Sequence, residues 1–118
     1  MRGWPVEWAK LRLLGLKNCD TCRAVLKAFA AAGKAVEFVD VRERPLDRAF
    51  LAGLLAVHGD RVVNTRSATW RMLDEADRAR DPLELLSEHP TLMKRPVIDT
   101  GSSTFVGWSD QVRASLIE

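Results

Sequence analysis

GLKNCDTCRAVLKAF, residues 15–29, holds both cysteines of the chain, two residues apart, where an apolar run gives way to a helical pattern. Upstream, Leu11–Leu16 (LRLLGL) is short, apolar and strand-like, and Lys17-Asn18 ends it. Downstream, Cys22, Val25, Leu26 and Phe29 fall at i, i+3, i+4 and i+7, so the spacing predicts a helix over 21–32 with these four on one face. Gly33 is placed to close it in the left-handed conformation. The two cysteines therefore belong to a strand-to-helix junction.

Working outward, Ala35–Val41 (AVEFVDV) reads as a second strand, and Pro45 breaks the chain before an amphipathic helix over 46–57 that ends in His58-Gly59. Residues 60–91 are helical and polar. Within them Asp81-Pro82-Leu83-Glu84 carries the marks of a capping box with proline at the first helical position. Val97-Ile98-Asp99 and Thr104-Phe105-Val106 read as strands joined by the turn residues Thr100–Ser103. Ser109 is a natural N-cap for a last helix carrying Val112, Leu116 and Ile117. The order is β-α-β, a helical insert, then β-β-α. With a CxxC between the first strand and its helix, this is the layout of an α/β thioredoxin-like fold: a four-stranded mixed sheet with helices on both faces.

Composition agrees with one soluble domain over 1–118, of which residues 1–10 form an N-terminal extension. The chain has 118 residues, 47% hydrophobic and 29% charged, enough to bury a core without disulfide or metal staples. Eighteen basic and sixteen acidic residues leave a net charge of +2, spread along the chain, with no footprint for nucleic acid or a membrane surface. No apolar run approaches the roughly 20 residues of a membrane span, and the start, MRGWPVEWAK, lacks the pattern of a signal peptide. A cytoplasmic location is the expectation. In a reducing compartment, CxxC points to redox or metal chemistry before a structural disulfide.

A cysteine acts as a nucleophile only as its thiolate, and the positive end of a helix favours that anion. Cys19 sits just before the helix and is the candidate attacking thiolate; Cys22, one turn on and on the apolar face, is the candidate resolving thiol. Lys17 and Arg23 flank the loop and are expected to lower the Cys19 pKa, while Asp20 opposes them. Two other readings stand beside this one. Zinc needs four ligands, and only His58 and His89, lacking paired spacing, are there to complete the set; no metal is expected. Alternatively, the cysteines are inert core thiols. Their position at the junction favours redox chemistry.

LMKRPVI, residues 92–98, puts a proline at the start of a strand, with Arg95 before it. In thioredoxin folds a cis-proline here binds substrate backbone, whereas a trans proline opening an edge strand is the commoner case for prolines in general. An arginine at that point would stabilise a thiolate or hold a substrate anion.

GLKNCDTCRAVLKAF, VVNTRSATWRMLDE, HPTLMKRPVID and VGWSD, in that order over residues 11–117, resemble the ArsC/Spx superfamily of arsenate-reductase-like proteins, and most nearly its YffB-type branch. The resemblance implies a thiol-dependent oxidoreductase with Cys19 as catalytic cysteine, Arg95 beside it and a cis peptide at Pro96. Cys22, which YffB-type relatives commonly lack, joins the catalytic set from its own place in the CxxC as resolving thiol. Lys17, Asn18, Thr21, Arg23, Asn64, Arg66 and Pro96 are the expected substrate-binding residues. It implies a disulfide or glutathione mixed disulfide as substrate, no bound cofactor, and glutathione or a thioredoxin/glutaredoxin system as electron donor.

Two further arginines that hold the oxyanion in the arsenate reductases are missing here, where Asn64 and the stretch Phe105–Trp108 stand. Each such contact is worth roughly 1.5–3 kcal/mol, which argues against arsenate as the main substrate. The arsenate reductases have serine where Cys22 stands, whereas Spx regulators carry CxxC as a redox switch and bind RNA polymerase. A redox-sensing regulator of that kind is the alternative. Asn64, Thr65 and Ser67 also have a plain structural reading as helix caps, with Trp70 and Leu73 in the core. Trp4 and Trp8 fall outside every motif.

Overall fold

A computed structural model describes residues 11–117; Trp4 and Trp8 lie outside the described residues. The described residues form two compact units, one from the segments 11–40 and 95–117, the other from Val41–Lys94.

The first unit contains β1 (Leu11–Gly15), α1 (Asp20–Ala31), β2 (Val36–Asp40), β3 (Val97–Asp99), β4 (Thr104–Val106) and, at the end of the chain, a helix at Asp110–Ile117. Its sheet has the order β2-β1-β3-β4; β1 runs parallel to β2, and the other two pairings are antiparallel. This is the mixed four-stranded α/β sheet expected from the sequence. The register lines up Phe38, Leu13, Ile98 and Phe105 as one row across all four strands. Below that row pack Cys22, Val25 and Phe29 from α1, with Trp108, Val112 and Leu116 alongside. The opposite row, Val39, Leu14, Val97 and Val106, is buried as well. Burial on both faces is why LRLLGL reads as a nearly continuous apolar run instead of an alternating one. The exception, Arg12, pairs across the strands with the carboxylate of its register partner Asp99.

The helix ends follow from local chemistry. Cys19 is the N-cap of α1, which therefore starts one residue earlier than its periodicity predicts. At the other end Gly33 takes φ +74°, its N–H bonds the Ala30 carbonyl, and the Lys34 N–H bonds the Phe29 carbonyl. That is the Schellman closure, and the left-handed position is why a glycine stands there. The Ser109 hydroxyl accepts the Val112 N–H and caps the last helix, as expected.

The second unit holds α2 (Arg48–His58), α3 (Ala68–Met72), α4 (Glu75–Arg78) and α5 (Pro82–Glu88), so the last helix of the chain is α6. The four N-caps are Asp47, Ser67, Asp74 and Asp81, each accepting a backbone N–H two or three residues on. Leu51, Leu54, Leu85, Leu86, Val62, Leu92 and Met93 are buried. The sequence suggested a full capping box at Asp81–Glu84; instead Glu84 pairs with Arg48 and ties α5 to α2. Trp70 is half-buried, not in the core: the Arg78 guanidinium lies over its ring at 5.4 Å. The first departure comes from a charged partner distant in sequence, Arg48.

Candidate active site

Strand β1 ends at Gly15, and the next four residues form a turn closed by the Cys19 N–H on the Leu16 carbonyl at 3.2 Å. The turn delivers Cys19 to the start of α1, where its backbone is extended and its sulfur faces the first free N–H groups of the helix. The Cys22 N–H donates to Cys19 Sγ at 3.3 Å. A serine or aspartate oxygen usually makes this contact at an N-cap; here a sulfur makes it.

Cys22 lies in the core. It is 0% exposed, packed with Leu13, Val25, Phe29 and Ile98. Gly15 makes room for it, because a Cβ there would lie 2.4 Å from Cys22 Sγ. A glycine at the end of an apolar strand is the sequence signal for such a close approach.

Arg95 completes the group from the far side of the sheet sequence. The Arg95–Pro96 peptide is cis, as the resemblance implied. The Pro96 carbonyl accepts the Gly107 N–H at 2.8 Å, and the following Trp108 stacks obliquely on Phe29, with ring centroids 5.6 Å apart. GWSD is thus a local device: Gly107 holds the proline strand, Trp108 anchors to α1, and Ser109 caps α6.

These contacts set the thiol chemistry. Partial burial opposes ionisation of Cys19, but hydrogen bonds from the Cys22 thiol and backbone, then the hydrogen bond and charge of Arg95, outweigh it. The Cys19 pKa lies below its ordinary value. Burial, followed by the hydrogen bond to Cys19, pushes Cys22 up to about 12. One sulfur favours the anion and its neighbour keeps its proton.

The flanking charges act differently from expectation. Arg23 and Asp20 form an exposed i,i+3 pair with each other, 2.5 Å apart, and the groups that move Cys19 are Cys22 and Arg95. Lys17, Asn18 and Thr21 are exposed around the turn. Asn64 and Arg66 belong to the second unit. There the Asn64 side chain accepts the Arg66 N–H at 3.0 Å and Ser67 Oγ accepts the Trp70 N–H at 3.1 Å, so part of this motif is capping. The same motif lines a cleft of about 250 Å³ with Arg61, Thr65 and Lys94, in which three cations gather. Among the described residues no three His, Cys, Asp or Glu side chains converge as a metal site, and no helix is long and apolar enough to cross a membrane.

A cysteine sulfur capping the first helix of a thioredoxin-like sheet, over a second buried cysteine and beside an arginine before a cis-proline, defines a thiol-dependent oxidoreductase kind of protein. The sequence matches the ArsC family over residues 14–115, and the chain belongs to that family. It is 36% identical over 106 residues to an uncharacterised protein of Haemophilus influenzae, covering 86% of this chain and 93% of that one. Its fold is similar to a YFFB protein at TM-score 0.85 and 32% identity, covering 92% of this chain and all of the other. A Brucella melitensis protein described as arsenate-reductase-related gives TM-score 0.71 and 28% identity, covering 89% and 92%. The chain sits on the YffB-like branch of its family.

Proposed function

We propose that this protein is a thiol–disulfide oxidoreductase in which Cys19 attacks and Cys22 resolves. The observation that carries the reading is the Cys19 sulfur at the N-cap of α1, held by the Cys22 N–H and Arg95. The Cys19 thiolate attacks one sulfur of a substrate disulfide, such as a glutathione mixed disulfide. A new Cys19–substrate S–S bond forms, and the other sulfur leaves as thiolate and takes a proton from water.

That step also removes the Cys19 anion. The hydrogen bond and the negative charge that help hold up the Cys22 pKa go with it, leaving burial as the main opposing force. Cys22 then loses its proton more readily and attacks Cys19. The Cys19–Cys22 disulfide forms, the substrate thiolate departs, and two electrons have passed from the dithiol to the substrate. Glutathione or a thioredoxin/glutaredoxin system restores the dithiol. Within the second unit, Asn64 and Arg66 line a cleft with Arg61 and Lys94 whose cations suit a carboxylate or other anion. Arsenate is not the main substrate, because Asn64 and Phe105–Trp108 supply none of the cations that would hold it.

Cys19→Ser is expected to abolish reduction of glutathionylated peptide, and Cys22→Ser to accumulate the mixed disulfide, visible by intact-mass spectrometry. Full activity in both variants would sink the mechanism. The same CxxC supports a second reading, a redox-responsive regulator that binds RNA polymerase. Pull-down of the polymerase from native lysate at physiological salt tests it, and a clean negative retires it.

A further inference from the structure

We propose that Asp40 is a positioning residue of the thiol site: its carboxylate holds the turn that presents Cys19. This rests on the reading of Cys19 as nucleophile. Asp40 ends β2 and is the register partner of Gly15, the last residue of β1. It is only 4% exposed, and its chain neighbours Val39 and Val41 are apolar and buried. Burying a carboxylate is costly unless hydrogen bonds compensate, and this one has a defined use. Its Oδ2 accepts the Lys17 N–H at 2.9 Å.

Lys17 is the second residue of the turn closed by the Cys19 N–H on the Leu16 carbonyl. The N–H at that position points out of a β-turn and has no partner within it. Asp40 supplies one from a different strand and so pins the turn to the sheet edge. The path is short: Asp40 fixes Lys17, the turn fixes Cys19, and Cys19 is thereby held where the Cys22 N–H and Arg95 reach its sulfur. The groups that act on the sulfur itself are Cys22 and Arg95; Asp40 acts through the backbone. An acid between two apolar residues at the strand's end, the Val39-Asp40-Val41 of residues 39–41, is the sequence trace of this arrangement.

The test compares the pH dependence of Cys19 alkylation by iodoacetamide in the full chain, its Asp40→Asn and its Asp40→Ala forms. Asn keeps an oxygen acceptor for the Lys17 N–H and is expected to alkylate within about twofold of the parent. Ala removes the acceptor, so the midpoint moves up and alkylation at pH 7 falls roughly tenfold, the effect of about one unit of thiol pKa. Addition of a Cys22→Ala background assigns the signal to Cys19. An unchanged midpoint in Asp40→Ala, or a loss in Asp40→Asn as large as in Asp40→Ala, overturns the proposal. Amide hydrogen exchange in the parent gives a readout that needs no variant. Lys17 is expected to be protected, and exchange at the unstructured rate would overturn it. A parent protein whose Cys19 alkylates with an ordinary midpoint instead refutes the nucleophile reading, a distinct outcome.

Discussion

Gly15 and Cys22 share one space: a Cβ on the glycine would sit 2.4 Å from the cysteine sulfur. The first of four strands and the first helix are pressed together at this point, directly under the start of α1. Gly15→Ala is expected to cost about 1–3 kcal/mol, as overpacking a closed core does. Adding Cys22→Ala deletes the clashing sulfur and recovers most of that loss. Urea denaturation of the two single variants and the double variant measures the coupling, and an additive result would show that the contact carries no energy.

Alkylation of Cys19 is expected to proceed at neutral pH, with a midpoint below that of a free thiol, because hydrogen bonds from Cys22 and Arg95 favour the anion. Arg95→Gln removes a cation, so the midpoint moves up and the neutral-pH rate drops. Arg95→Lys keeps the charge but loses the planar fork, and should fall between the two. A midpoint that ignores both changes would separate Arg95 from the thiolate.

Cys22 gives the opposite pH signature. Its pKa rises to about 12 on folding, so above the ordinary thiol value the unfolded chain has released a proton that the folded one keeps. Folding stability is therefore expected to fall as pH rises from about 9 toward 11, by at most ~1.4 kcal/mol per pH unit for one proton. Cys22→Ala should flatten that slope. Cys19, with a lowered pKa, has the reverse sign: its contribution is present above the ordinary thiol value and is lost as pH falls through the folded one. Urea titrations at several pH values, parent against Cys22→Ala, check the difference.

Within the Asn64–Ser67 stretch the two roles can be pulled apart. Ser67→Ala removes the cap on the Trp70 N–H and is expected to lower stability by about 1 kcal/mol. Arg66→Gln, at an exposed cation of the cleft, should leave stability within about 0.5 kcal/mol. It should weaken binding of inorganic phosphate to that cleft, read by calorimetry. A stability loss in Arg66→Gln with phosphate binding unchanged would return the whole motif to capping.

Much of the architecture was legible in the chain because periodicity and capping are local. The i, i+3, i+4, i+7 spacing from Cys22 to Phe29, Gly33 at the helix end and Ser109 at the last N-cap each report on a few neighbouring residues. What was illegible involves pairs far apart in the chain. Glu84 looks like a capping-box acid until Arg48 is beside it. Lys17 looks like a flanking cation of the turn until Asp40, twenty-three residues on, is seen to take its backbone N–H. No short-range pattern says which of several partners a long charged side chain takes.

By itself the sequence determined that two cysteines stand at a strand-to-helix junction, in an order of elements that makes a mixed sheet, with an Arg-Pro step opening a later strand. The physical reason is that hydrophobic spacing, turn residues and the helix N-terminus act over a handful of positions. Only the tertiary structure decided what those cysteines are to each other. Sheet pairing carried Arg95 to Cys19, Asp40 to Lys17 and Gly15 under Cys22. Arg95 thereby joins the local hydrogen bonds from Cys22 in making Cys19 acidic, while burial keeps Cys22 protonated.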